Sequence, residues 1–132
     1  MKVIIVVDAN AILAALLGGS ARFILFKREF EFVTTEHTLK EVEKYLDLVS
    51  KKSKVSKDEI IYALKLLPLK IHPSSFYQTK MKLARHLIDK IDPKDADILA
   101  LSLKLNTYLW TQDNHFNKIK DKIHILKTEN LI

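Results

Sequence analysis

The chain contains no cysteine. That absence removes disulfides, thiolate zinc sites and a cysteine nucleophile at once, and it suits a reducing compartment, so a cytoplasmic protein is expected. Only two glycines occur, side by side at Gly18 and Gly19. No glycine-rich phosphate loop of the P-loop or dinucleotide type can be written with them. No stretch is long and apolar enough to span a bilayer, so no membrane partner is expected. The opening, Lys2 followed by apolar residues and then Gly18-Gly19-Ser20-Ala21, has the outline of a secretory signal, but Asp8 and Asn10 break its apolar run. The apolar segment of a signal is unbroken, so Val3–Val7 reads as a buried strand that is retained. There is no internal repeat and no low-complexity segment.

The 132 residues show no break in composition, and residues 1–132 are expected to form one domain. A hydrophobic content of 48% supplies a core. Lys and Arg number 22 against 16 Asp and Glu, a net charge of +6 that favours polyanionic partners. On its own that is a weak signal, since many lysine-rich surfaces bind nothing.

Strand-like and helix-like patterns alternate along the chain. Lys2–Val7 is a continuous β-branched run, the pattern of a strand buried on both faces. Phe30–Thr34, Leu69–His72, Thr107–Thr111 and Ile123–Leu126 are the other expected strands. Between them, helices are expected over Ala9–Leu17, from a Ser20 cap to Arg28, over Thr38–Val49, from a Ser56 cap to Leu67, over Ser75–Asp89 and from Asp92-Pro93 onward. Ser50–Lys57 reads as a lysine-rich loop, and Asn114–Lys120 as a short helix. This order predicts a three-layer α/β/α sandwich around a mainly parallel sheet of four or five strands.

Four carboxylates stand at strand ends or first helical turns: Asp8, Glu41, Asp95 and Asp113. Each has a local explanation. Asp8 and Asp113 can cap the helices that follow them, Glu41 completes a capping box with Thr38, and Asp95 lies where a carboxylate meets a positive helix end. Together they carry a stronger implication, because in a parallel sheet these positions share the edge where ligands bind. Four acids in one cleft repel one another unless a divalent cation screens them. An all-oxygen donor set favours Mg2+ or Mn2+ over zinc, and such ions suit phosphodiester hydrolysis. Glu36 and Glu43 compete with Glu41, and Asp97 with Asp95. Asp97 lies roughly 200° around the helix from Asp95 at about 3.6 residues per turn, so the two do not share a role.

These motifs resemble the PIN-domain family of metal-dependent ribonucleases, which includes VapC-type toxins. Val7-Asp8-Ala9-Asn10-Ala11-Ile12-Leu13 matches its first motif. Glu41 in Thr38-Leu39-Lys40-Glu41-Val42 matches its helical acid. Asp95-Ala96-Asp97-Ile98-Leu99-Ala100-Leu101 resembles its third motif, and Thr111-Gln112-Asp113-Asn114-His115-Phe116 its last. The resemblance covers essentially the whole chain. It implies Asp8, Glu41, Asp95 and Asp113 as catalytic metal-site acids, Mg2+ or Mn2+ as cofactor, RNA as substrate, a small antitoxin as partner, and a homodimer.

Asn10, Thr111 and Asp97 are supporting candidates, with ordinary helix or strand roles as the alternative. A nuclease needs cations along the phosphate path, and Lys82 and Arg85 are the candidates, against the plain reading of a solvated helix face. His115 invites a general-base role, but a metal that activates water needs no histidine, and His115 is not counted in the site. His37, His72, His86 and His124 show no ligand spacing. Trp110 reads as core. Two rival classes stay open. One is a non-catalytic PIN-like module that binds RNA or protein. The other is a phosphotransfer domain with Asp8 as nucleophile, for which the second Asp usual in phosphatases is here Asn10.

Overall fold

A computed structural model describes residues 2–88 and 92–132. Five strands, β1 (Val3–Val7), β2 (Phe30–Thr35), β3 (Leu69–His72), β4 (Tyr108–Trp110) and β5 (His124–Leu126), form one sheet in the order β3-β2-β1-β4-β5. Every pairing is parallel. Asp8 follows β1 directly, and the backbone N–H of Asp8 donates to the Trp110 carbonyl at 3.0 Å, which ties the ends of the two central strands together.

The sheet sorts the apolar run of β1 between two cores, as alternating side chains must. Ile5 and Val7 pack with Phe32 and Trp110 against α1 (Ala9–Leu16), α2 (Ser20–Leu25), α3 (Glu36–Glu43), α4 (Leu46–Ser53) and α5 (Lys57–Leu66). On the other face Val6, Val33 and Leu109 pack with α6 (Ser74–Tyr77), α7 (Met81–Ile88) and α8 (Ala96–Leu105). Helix α8 is buried from Ile98 to Ser102, which explains why it is apolar on most sides. The fold is therefore the three-layer sandwich expected, with a wholly parallel five-stranded sheet.

Several boundaries differ from the sequence reading. Strand β2 runs straight into α3 without a loop. Thr35, not Thr38, caps α3, its hydroxyl accepting from the Thr38 N–H at 2.8 Å. Glu41 consequently sits on the second turn. The single helix expected over Thr38–Val49 is two, α3 and α4, and α4 extends to Ser53 through the expected loop, ending on Lys54 in left-handed conformation (φ 58°). Gly19 rather than Ser20 precedes α2. The helix expected over Ser75–Asp89 comprises α6, a 3-10 turn over Gln78–Lys80 and α7; its last residue, Asp89, lies outside the described residues. No described helix is long and apolar enough to cross a membrane.

Candidate metal centre

In the order β3-β2-β1-β4-β5, successive connections run outward from β1 in both directions. The C-terminal ends of β1 and β4 flank the point of reversal, where open α/β sheets bind ligands. Asp8 occupies the end of β1 and is only 6% exposed. One oxygen accepts from the Ala9 N–H at 2.7 Å, the other from the Thr111 hydroxyl at 2.7 Å. Burial raises its carboxyl above the ordinary range, and the negative charge of Asp113 adds to this; the bonds from Thr111 and Ala9 oppose it.

Thr111, fully buried at the end of β4, organises this edge. Its hydroxyl donates to Asp8 and accepts from the Asp113 N–H at 3.0 Å and the Asn10 amide at 3.4 Å. Asn10 in turn accepts from the Gln112 N–H at 3.4 Å. Asn10 thus braces the loop after β4 rather than the Asp8 carboxylate itself.

Asp95 ends a 3-10 turn over Pro93–Asp95 and begins α8, yet makes no capping bond. The turn is capped by Asp92, which accepts from the Lys94 N–H at 3.1 Å. The Asp95 side chain is 15% exposed. Burial, then the charge of Asp8, push its carboxyl to about 7, outweighing the opposing charge of His115. Asp113 stands at the start of the 3-10 helix Asn114–Ile119, also without a capping bond, with 44% of its side chain exposed. Carboxylate oxygens of Asp8, Asp95 and Asp113 lie within 4.8 Å of one another, a separation one cation can bridge.

His115 completes the cluster. Its Nε2 faces Asp95 Oδ2, and its Nδ1 lies 3.4 Å from Asp113. Asp95 Oδ2 and His115 Nε2 are both buried, and neither has a hydrogen-bond partner of acceptable geometry. Asp92, Asp95 and His115 form a second group with ligand atoms within 4.8 Å. Orphaned buried donor atoms beside an all-oxygen set fit a hard divalent cation such as Mg2+ or Mn2+, and an imidazole is compatible with the latter.

Glu41 lines the same cleft, a cavity of about 280 Å3, but stands apart from the three aspartates. It pairs with Lys44 at 2.9 Å, and that bond lowers its carboxyl. Exposed pairs of this kind are weak, so Glu41 is easily released toward the cleft. Its rivals lie elsewhere: Glu43 edges an apolar groove, and Glu36 a separate polar pocket. Asp97 faces away from the cleft and accepts from the Tyr77 hydroxyl at 2.6 Å. Lys82 and Arg85 are exposed on α7 and do not line the cleft, whereas Lys94 and His37 do. Lys94 lies beside Pro93 at the turn that delivers Asp95.

Comparison with curated proteins gives no match. Among solved structures, the chain is similar to VapBC2 from Rickettsia felis bound to a DNA fragment from its promoter, with a TM-score of 0.70 and 16% identity over 94% of this chain and 98% of that one. It is also similar to VapBC-1 from nontypeable Haemophilus influenzae, with a TM-score of 0.66 and 18% identity over 96% of this chain and 98% of that one. At these identities the likeness is one of fold. The profile of the PIN domain matches residues 6–131, a span that takes in Asp8, Glu41, Asp95 and Asp113 together with the sheet that gathers them, and the chain belongs to the PIN-domain family.

Proposed function

We propose that this protein is a metal-dependent endoribonuclease that hydrolyses RNA phosphodiester bonds. The observation that carries this reading is the convergence of Asp8, Asp95 and Asp113 within 4.8 Å at the reversal point of a parallel sheet. These three residues would hold Mg2+ or Mn2+, and Glu41 of α3 would complete the donor set. When bound, the ion supplies an activated water and neutralises charge on the phosphodiester. The chain's own groups do the rest. Thr111 fixes the Asp8 carboxylate, and Asn10 holds the Thr111–Asp113 loop in register. His115 sits between Asp95 and Asp113 and turns one ring nitrogen toward each carboxylate. Lys94, beside the acids in the cleft, offsets the charge of an incoming phosphate.

A toxin-type ribonuclease held by a small antitoxin is the setting we infer, in the cytoplasm. The two solved structures named above bear the VapBC name. Two apolar surfaces suit a partner segment and a second copy of this chain. One is a groove of about 540 Å3 lined by Leu39, Leu46, Ile61, Leu64 and Ile71. The other lies where exposed Phe26, just after α2, and Leu66 of α5 line a shallow pocket together. Cleavage of a mixed-sequence single-stranded RNA in Mn2+ or Mg2+, wild type beside Asp8→Asn with an EDTA control, tests the activity. Cutting that needs both the metal and Asp8 supports the reading; cutting that survives Asp8→Asn places the activity elsewhere.

A further inference from the structure

The metal cleft has a polar neighbour. A second cavity of about 210 Å3 is lined by Glu36, His37, Lys40, Ser74, Tyr77 and Asp97. His37 lines both cavities, so one imidazole joins them. Its Nε2 is buried and has no hydrogen-bond partner. Tyr77 is 1% exposed within the second core, and its hydroxyl fixes one oxygen of Asp97 at 2.6 Å. Burial and Asp97 raise the Tyr77 phenol, which keeps it a donor. Behind it, the buried hydroxyls of Thr35 and Thr38 pair at 2.7 Å and brace the start of α3. Among the described residues, the other Asp97 oxygen makes no hydrogen bond, and Asp97 and Lys40 make no ion pair. Asp97 belongs to neither group of potential metal ligands.

The arrangement is a rigidly held carboxylate acceptor, an unpartnered imidazole nitrogen and a cation at the rim, one side chain away from the metal centre. Nothing in the proposed hydrolysis uses it. Its volume is below that of ordinary small-molecule pockets, which begin at about 300 Å3, and matches a single base better than a larger ligand.

We propose that this cavity is a nucleotide subsite that takes the base next to the phosphate at the metal centre and selects guanine. The inference rests on the ribonuclease reading above. Proteins read single-stranded RNA by splaying bases out and bonding their Watson–Crick edges. Guanine offers two adjacent N–H donors there, which one carboxylate accepts together. Uracil offers a single N–H there, flanked by two carbonyl oxygens, so Asp97 gains one bond instead of two and Asp97 and Glu36 repel the flanking oxygens. His37 meets the base from the cleft side, and Lys40 faces the flanking phosphate.

The test uses two fluorescent RNA oligonucleotides that differ only in a central guanine or uracil. Cleavage in Mn2+ is read as the ratio of rates and as the mapped cut position. A good bidentate contact discriminates by roughly tenfold or more, so wild type is expected to prefer guanine by that factor, at one fixed position from the cut. Asp97→Asn is expected to bring the ratio close to one, and Tyr77→Phe, which frees the carboxylate, to lower it partway. A wild-type ratio near one, or an Asp97→Asn variant that slows both substrates equally, overturns the proposal. Anisotropy of the same oligonucleotides with Asp8→Asn protein separates this failure from failure of the nuclease reading. Guanine-selective binding that Asp97→Asn removes sustains the subsite even without cutting, and binding blind to the base overturns it. Near-UV circular dichroism of buried Trp110 checks each fold. Should Asp97→Asn not fold, His37→Gln on α3 must lower the ratio in the same direction, and an unchanged ratio overturns the proposal.

Discussion

Replacing Asp95 by asparagine is expected to stabilise the metal-free protein at pH 8 and to abolish its response to Mn2+. The Asp95 side chain is 15% exposed and lies within 4.8 Å of the carboxylates of Asp8 and Asp113. Burial and the Asp8 charge carry its carboxyl from an ordinary 3.8 to about 7. The folded protein therefore binds this proton more tightly than the unfolded chain. The contribution of Asp95 to stability is neutral below 3.8, falls as pH rises from 3.8 to about 7, and is fully unfavourable above that. Taken at face value the penalty is about 4 kcal/mol. Screening in an open cleft and the loss of the His115 contact reduce the expected gain at pH 8 to about 2 kcal/mol. For a chain of this size that is a rise in Tm of roughly 6 °C. Asparagine keeps the shape, and no capping bond is lost, because Asp95 makes none. Thermal melts in EDTA at pH 4 and pH 8, followed by circular dichroism, read the difference. Adding Mn2+ at pH 8 should raise the wild-type Tm and leave the variant unmoved, since a ligand stabilises only the state that binds it. A variant less stable than wild type at pH 8, or one with the same gain at pH 4 as at pH 8, would refute the electrostatic argument.

Thr111→Val removes a hydroxyl that serves Asp8, Asp113 and Asn10, and strips a buried carboxylate oxygen of its donor. A loss of about 2 kcal/mol in urea unfolding is expected, with Mn2+ affinity by calorimetry weakened roughly tenfold, as for other residues that orient ligands. Trp110→Phe leaves a gap in the first core, where the indole packs on Phe32 at 5.6 Å and donates to the Thr128 hydroxyl at 3.1 Å; a cost of about 2–3 kcal/mol is expected in the same assay. Lys54→Gly relieves a left-handed residue at the end of α4 (φ 58°), for a gain of roughly 0.5 kcal/mol after the added freedom of the unfolded chain is deducted; a loss there would show that the lysine side chain contributes packing.

Strands β1, β2 and β4 were legible because they are short runs rich in β-branched or aromatic residues with polar residues on either side, and the buried helix α8 because it is apolar on most sides. The start of α3 was not. Thr35 and Thr38 are equally good caps, and β2 enters the helix with no loop to separate them, so only the backbone shows that Thr35 accepts from Thr38. The division of α3 from α4 near Tyr45 has no glycine or proline to announce it. Val42, Leu46 and Val49 keep the spacing of one continuous helix and share one core, so the sequence pattern gives no sign of the break. His115 and Lys94 escaped because their importance is a matter of distance. His115 is separated from Asp95 in sequence by helix α8, strand β4 and a loop, yet faces it across the cleft. The same holds for His37, which no ligand spacing marks and which lines two cavities.

Sequence alone left each acid with two explanations, helix cap or metal ligand, and the two make different demands on the carboxylate oxygens. A cap spends an oxygen on a backbone N–H of the next turn. Asp92 does so, accepting from Lys94, and is accounted for by that bond. Asp95 and Asp113 stand at N-cap positions and cap nothing. Asp8 spends one oxygen on Ala9 and gives the other to Thr111. Three carboxylates are thus crowded together, two of them raised above their ordinary range, with no backbone donors enough to offset the repulsion. Selection for stability alone would replace them with asparagine or serine, which cap as well and carry no charge. A fold that keeps them ionisable, and places them where its sheet opens, holds strain of the kind that a bound cation relieves.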